Sequence, residues 1–316
     1  MRVPANVQGR TDGCNREQRG TYGYVAGTFR RVNDRVKDLF LGRDTRSIVF
    51  LAEGCGLANR LRAMVGYQAL ARLHKLQFYL RWVMDPTCPC EFTDLFCSPI
   101  MVIGHQALPS VSPCTIYKEA IWFDKIWERW GADLDWEKYL REVHGCLKEL
   151  TPQLKLAEEL AEFDRRHSLS DAIGIHIRNT DNIAAYADWT RNNADFDPSK
   201  TSRLTAFIDV IRAHIGSRTV LLATDDPELE KELKLKFPAL LTFSKSYDLT
   251  QLRTTPMDAA VSEMWLLGRC CQIVGTYYSS FGKFSAVWGR IPYFQVTGDQ
   301  IVRSEFVDRL ISTGEY

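Results

Sequence analysis

The stretch SIVFLAEGCGLANRLRAMVGYQALARLHKLQFYLRW, Ser47 to Trp82, decides the fold. Ser47 to Ala52 is a short apolar run of the kind that forms a strand buried on both faces. Gly54 and Gly56 then permit a tight turn, and from Ala58 to His74 the apolar residues recur at helical spacing. LQFYLRW, Leu76 to Trp82, supplies a second strand. Strand, glycine turn, helix and strand make a βαβ unit, whose two strands run parallel with a right-handed crossover. A turn that leads from a strand into a helix favours anions, because the first N–H groups of the helix are unpaired. The glycines fit neither G-x-x-x-x-G-K-[ST] nor G-x-G-x-x-G, which argues against a P-loop NTPase and against a nicotinamide dehydrogenase. Asn59 and Arg62 lie near the helix start, where they face either a cleft or solvent.

Outward from this unit, Tyr117 to Arg166 is rich in Trp, Leu and charges at helical spacing and reads as a helical segment joining two halves, with the boundary near Ser168. Alternation then resumes, with strands at Ala172–Arg178, Thr219–Ala223, Leu240–Phe243, Gln272–Gly275 and Pro292–Val296. Helices fall at about Thr201–Ile215, at Pro227–Lys236, at Met257–Arg269 and from SSFGKFSAVWG, Ser279 to Gly289. The expected architecture is α/β, with two Rossmann-type doubly wound domains facing a cleft. Residues 1–45 form a polar extension, 46–167 the first α/β domain with its helical linker, and 168–316 the second.

The chain has 316 residues, 45% of them hydrophobic and 25% charged, which is enough for one large core or two domain-sized ones. A formal net charge of +1 offers no global field for nucleic acid or an anionic membrane, so any anion site must be local. Nine cysteines are present; Cys88, Cys90 and Cys97 cluster, but no second pair or nearby histidine completes a zinc set. No metal is expected. No apolar stretch is long enough to span a bilayer, and the first twenty residues lack the apolar core of a secretory signal. A cytoplasmic location is the expectation for the chain as written, and a Golgi or secretory one if it is a trimmed piece.

In open α/β sheets ligands bind beyond the carboxyl ends of the strands, and the chemistry-bearing residues gather there. Alternation puts His176 and Arg178 on one side of a strand, with Asp181 just past its end. A guanidinium at Arg178 can meet two phosphate oxygens at once, as a departing diphosphate requires. Ser279 and Ser280, with the free N–H groups of the helix they open, can seat the same anion, or serve simply as an N-cap. Asp226 before Pro227 is a helix N-cap, which leaves Asp225 to hold a ribose hydroxyl or orient a loop. Glu263 interrupts an apolar helix, and a buried acid needs a partner. Guanine, with its N1–H and exocyclic amine, is such a partner.

Taken in order, GCGLANRL (Gly54 to Leu61), GIHIRNTD (Gly174 to Asp181), ATDDPELEKELKLKFP (Ala223 to Pro238) and VGTYYSSF (Val274 to Phe281) resemble motifs of the GDP-fucose-dependent fucosyltransferase superfamily. That superfamily includes α1,6-fucosyltransferases, rhizobial NodZ and protein O-fucosyltransferases, and the resemblance spans about Ser47 to Val296. It implies a GT-B-like fold and an inverting, metal-independent glycosyltransferase moving fucose from GDP-fucose to a glycan or protein hydroxyl. The second domain would hold the nucleotide sugar and the first would recognise the acceptor. The implied donor contacts are Gly54, Cys55, Gly56, Asn59, His176, Arg178, Asp225, Glu263, Ser279, Ser280 and Phe281. Arg178 would stabilise the leaving diphosphate, and Asp181 and Asp188 are the candidate bases. The sequence departs from the α1,6 pattern at Asn179 and Asn182, where that pattern carries an arginine and a lysine. Those lost charges keep open another nucleotide-sugar donor on the same fold, and a non-catalytic carbohydrate-binding protein is the further alternative.

Overall fold

The apolar runs form the centres of two sheets in the computed structural model, which describes residues 46–104, 113–131, 133–179, 197–248 and 255–312. The extension proposed for residues 1–45 therefore lies outside the described residues. In the first sheet β1 (Ser47–Ala52) is central, with β2 (Gln77–Trp82) on one side. Helix α1 (Leu57–Leu73) connects these two strands, which pair in parallel with Val49 opposite Tyr79. A short α2 (Phe92–Leu95) leads into β3 (Phe96–Cys97), and β4 (Met101–Val102) adds a parallel edge beyond β2. On the other flank of β1 lies β5 (Cys114–Tyr117), also parallel.

The middle of the chain is largely helical, as its spacing predicts, but Tyr117 ends a strand instead of opening a helix. Three helices follow, α3 (Phe123–Trp130), α4 (Trp136–Glu149) and α5 (Leu154–His167). They are interrupted by β6 (Thr151–Pro152), which pairs antiparallel with β3. Helices α3 and α4 cover α1. A helix between a sheet and other helices needs apolar residues on most sides, and thirteen of the α1 residues are buried.

The second sheet begins with β7 (Ile173–Ile177), followed by α6 (Leu204–His214), β8 (Val220–Thr224), α7 (Pro227–Lys236) and β9 (Leu241–Thr242). Then come α8 (Met257–Leu267), β10 (Gln272–Thr276), α9 (Ser280–Gly289), β11 (Tyr293–Thr297), β12 (Gln300–Arg303) and α10 (Glu305–Ile311). The strand order is β12-β11-β10-β7-β8-β9, parallel except for the β11–β12 pair. All of β7 is buried, with Ile173, Ile175 and Ile177 packing into one apolar cluster with Phe207 of α6 and Leu233 of α7. A second cluster takes in Phe50 and Tyr67 from the first sheet region together with Met264 of α8 and Phe284 of α9.

Strand order fixes where a ligand can sit. In each sheet the first strand is internal and the connections reverse direction beside it, between β1 and β5 and between β7 and β10. A crevice opens at such a reversal, beyond the carboxyl ends of the strands.

Candidate functional site at the carboxyl ends of the strands

At the reversal in the second sheet, Thr276 joins the ends of two strands. Its hydroxyl donates to the His176 carbonyl (3.2 Å) and accepts from the Arg178 N–H (3.0 Å), fixing the residues on which β7 surfaces. Tyr293 in turn donates to the Thr276 carbonyl (3.2 Å). Nothing in the sequence singles out Thr276, because its role depends on the parallel pairing of two strands remote in the chain.

His176 is buried, and its imidazole stacks on the Phe281 ring in the first turn of α9, with centroids 4.9 Å apart and planes 16° from parallel. Burial, reinforced by the Arg178 and Lys245 charges, pushes its pKa down to about 3, so the ring is neutral at physiological pH. Its Nδ1 makes no hydrogen bond among the described residues. The ring approaches α9 closely: a Cβ on Gly282 would sit 3.3 Å from His176 Nδ1 and 3.0 Å from Tyr293 Cε2. Arg178 leans toward the end of β8, its Nε 4.0 Å from Asp225 Oδ2. Asp225 also accepts the Asn179 N–H (2.8 Å), while Asn179 Nδ2 donates to Asp226 (2.6 Å). Asp226 is the N-cap expected for α7, accepting the N–H groups of Glu228 and Leu229. Asp181 and Asp188 lie outside the described residues.

After β10 the chain turns through Tyr278, a non-glycine residue with φ of 62°, into Ser279 at the N-cap of α9. The Ser279 side chain makes no capping hydrogen bond, so the first N–H groups of α9 are not covered by their own cap. Ser280 opens the helix and Phe281 follows, beneath His176. Lys283 stands in the same first turn, partly buried.

The glycine turn of the first sheet is held by a residue of the helix that follows it. Arg60 of α1 has a side chain with no exposure and points back under the turn. It donates to the carbonyls of Cys55 (2.7 Å), Ala52 (3.0 Å) and Val83 (2.5 Å), and pairs with Asp85 at 2.5 Å. Asp85 also accepts the N–H of Gly54 (2.8 Å), whose φ of +67° suits glycine, and the N–H of Thr87 (2.8 Å). Burial would raise the Asp85 carboxyl, but the Thr87 hydroxyl, the two backbone N–H groups and Arg60 outweigh it and hold the pKa down to about 2. Gly56 is the N-cap of α1, and Asn59 lies in the first turn, partly exposed.

Glu263 of α8 is buried, and its partner is Lys245, whose side chain is 1% exposed. Lys245 also contacts Glu230 (3.3 Å) and donates to the Thr224 carbonyl (2.9 Å), and the Tyr247 hydroxyl donates to Glu230 (2.6 Å). Burial pushes Glu263 up to about 7, with Lys245 opposing and Glu230 and Asp225 adding to the rise. The sequence indicates that Glu263 needs a partner; it does not reveal a lysine in the loop after β9. Among the described residues, no group of three or more His, Cys, Asp or Glu is arranged to hold a metal ion, and no helix is long and apolar enough to cross a membrane.

The fold is GT-B-like and similar to that of solved fucosyltransferases. One similar solved structure is NodZ alpha-1,6-fucosyltransferase soaked with GDP-fucose, with a TM-score of 0.50, 15% identity, and coverage of 80% of this chain and 95% of that one. Another is a mutant of Arabidopsis thaliana FUT1 in complex with GDP, with a TM-score of 0.52, 12% identity, and coverage of 87% and 78%. No family model and no curated protein sequence matches the chain.

Proposed function

We propose that the chain is an inverting, metal-independent glycosyltransferase that moves fucose from GDP-fucose to a hydroxyl of a glycan or protein. On this reading the part after about residue 168 is the nucleotide-sugar domain, and the part before it is the acceptor side. The acceptor oxygen attacks C1 of the sugar from the face opposite the diphosphate, the C1–O bond to phosphate breaks, and GDP departs. Arg178 and the first N–H groups of α9 balance the charge that grows on the leaving group. Asp181 and Asp188 are the candidate acceptors for the hydroxyl proton.

The observation that carries this reading is the convergence at the β7–β10 reversal. Arg178, the His176–Phe281 stack and an uncapped helix start stand together at the ends of adjacent parallel strands. Supporting it, the fold is shared with fucosyltransferases whose structures were obtained with GDP-fucose or GDP. Removing a group that stabilises developing charge costs about 2.7 to 4 kcal/mol in the transition state, so Arg178→Ala should cut turnover by roughly 10²- to 10³-fold with the fold intact. Calorimetric titration with GDP, UDP and ADP, followed by donor hydrolysis, tests donor and chemistry separately. Near-normal turnover in folded Arg178→Ala would remove the assigned role.

A second reading keeps the fold and chemistry but changes the donor base. It is favoured by the Lys245–Glu263 pair, since a carboxylate already engaged by an ammonium has less to offer the two donors of guanine. Selective binding of UDP or ADP would establish it.

A further inference from the structure

Arg62 and Lys283 are partly buried cations with no carboxylate paired to them among the described residues. Arg62 of α1 is partly buried; its Nη2 donates to the Ala120 carbonyl (2.8 Å) just past β5, and its guanidinium lies 4.6 Å over the Trp122 ring. Its Nε is buried with no hydrogen-bond partner among the described residues. Lys283, in the first turn of α9, makes no hydrogen bond or ion pair within the described residues, and α1 and α9 are in direct contact. The carboxylate whose field reaches Arg62 is Asp124, and it is paired with Arg309 at 3.4 Å.

Burying two like charges near one another opposes folding unless something else rewards it. Burial lowers the Lys283 pKa to about 8, with Arg62 adding to the fall, and burial lowers Arg62 to about 10. Arg62 is within electrostatic reach of Cys55 in the glycine turn and of Tyr278 in the serine-rich turn. Contact between α1 and α9 brings together the helices that follow the two glycine- and serine-bearing turns. The uncapped start of α9, the Arg62 Nε and the Lys283 ammonium are all donors, and they stand on two helices in direct contact.

We propose that Arg62 and Lys283 form a diphosphate seat shared between the first and second sheets, Arg62 from the β1–β5 reversal and Lys283 from the first turn of α9. The ligand class is a nucleoside diphosphate, recognised through its terminal phosphate. This rests on the donor-site reading above, and it adds to that site Lys283, which neither its spacing nor the family resemblance assigns to it, and Arg62, which the sequence leaves facing either a cleft or solvent.

The test titrates the full chain and two variants, Lys283→Met and Arg62→Gln, with GDP, UDP, ADP, GMP and inorganic pyrophosphate. Lys283→Met should weaken the preferred nucleoside diphosphate and pyrophosphate at least about tenfold, the effect of one charge-assisted contact, while changing GMP much less. Without ligand it should unfold at a higher temperature than the parent, because a desolvated charge is gone, and ligand should raise that temperature less. A residue with a merely structural role would not separate these two readouts. Folded Lys283→Met and Arg62→Gln that both bind diphosphate as the parent does would overturn the seat while leaving the transferase reading standing. A parent that binds pyrophosphate but no nucleoside diphosphate would remove the transferase reading, and the seat would survive if Lys283→Met still lost pyrophosphate. A parent that binds none of them would remove both.

Discussion

Replacing Arg60 with methionine tests whether the glycine turn is held by a buried charge. The parent guanidinium satisfies the carbonyls of Ala52, Cys55 and Val83 and the Asp85 carboxylate, and it lies 5.0 Å from the Trp82 ring centroid. Methionine keeps much of the apolar stem and removes every donor. Counting each charged hydrogen bond at its full worth would overshoot, since Gly54 is exposed and water can reach part of the turn. The better guide is the loss of one partner from a buried ion pair, about 3 to 5 kcal/mol. For a body of this size that corresponds to a fall in Tm of roughly 6 to 20 °C.

Urea unfolding of the parent, Arg60→Met, Asp85→Leu and the double variant separates the ion pair from the carbonyl bonds. If the pair alone mattered, two apolar replacements would restore the parent stability, as they do for many buried pairs. Here three backbone carbonyls still lose their donor, so recovery should be partial. Acid titration adds an independent measure. The folded Asp85 pKa, about 2, lies below its unfolded value of 3.8, so the stability it contributes is complete above pH 3.8 and is lost as pH falls toward 2. Asp85→Asn should flatten that acid limb. Arg60→Met within about 1 kcal/mol of the parent, or full recovery in the double variant, would refute the assigned role of Arg60.

Further outcomes follow from the same geometry. Thr276→Val keeps shape but leaves the His176 carbonyl and the Arg178 N–H without their partner; unfolding in urea should show a loss of about 1 to 3 kcal/mol, and donor turnover should fall with it. Gly282→Ala places a methyl against the Tyr293 and His176 rings, which hydrogen bonding and stacking hold in place, so overpacking should cost about 1 to 3 kcal/mol by thermal unfolding. Lys245→Met leaves Glu230 and Glu263 without their shared cation and should cost about 3 to 5 kcal/mol at pH 8. With a folded pKa of about 7 against 4.5, Glu263 takes up its proton on the acid side, so that deficit should shrink toward pH 5.5; a deficit that grows on acidification contradicts the assignment.

Both sheets are legible in the sequence because their central strands are buried on both faces and so read as short apolar runs bounded by turn residues. The N-cap at Asp226 and the start of α9 at the serines are likewise local signals. What escapes is non-local or weakly patterned. Cys114–Tyr117 is too short to show alternation, and it becomes a strand because β1 pairs with it. All four residues of β12 are exposed, so no apolar period marks it, and α10 follows it close to the chain end. Arg60, in the run ANRLRAM, looks like surface charge because Asp85 and Thr87 stand on the far side of the next strand. Lys245 is hidden from Glu263 because 18 positions of chain with no fixed period separate them.

That difference bears on how a charged site should be read. Arg178 attracts notice because it ends an apolar strand, yet its neighbour Asp225 already takes part of its charge. Arg62 and Lys283 attract less notice, one within a helical pattern and the other after two serines, and neither is paired with an acid among the described residues. An anion gains more from a cation whose charge has not been neutralised, because no existing ion pair must be broken to meet it. On the proposed reading, Asn179 and Asn182 leave the β7 end short of positive charge, and the missing attraction comes from the helices that begin at the two turns. The residues decisive for holding a diphosphate would then be those left uncompensated by the fold, wherever the chain happens to carry them.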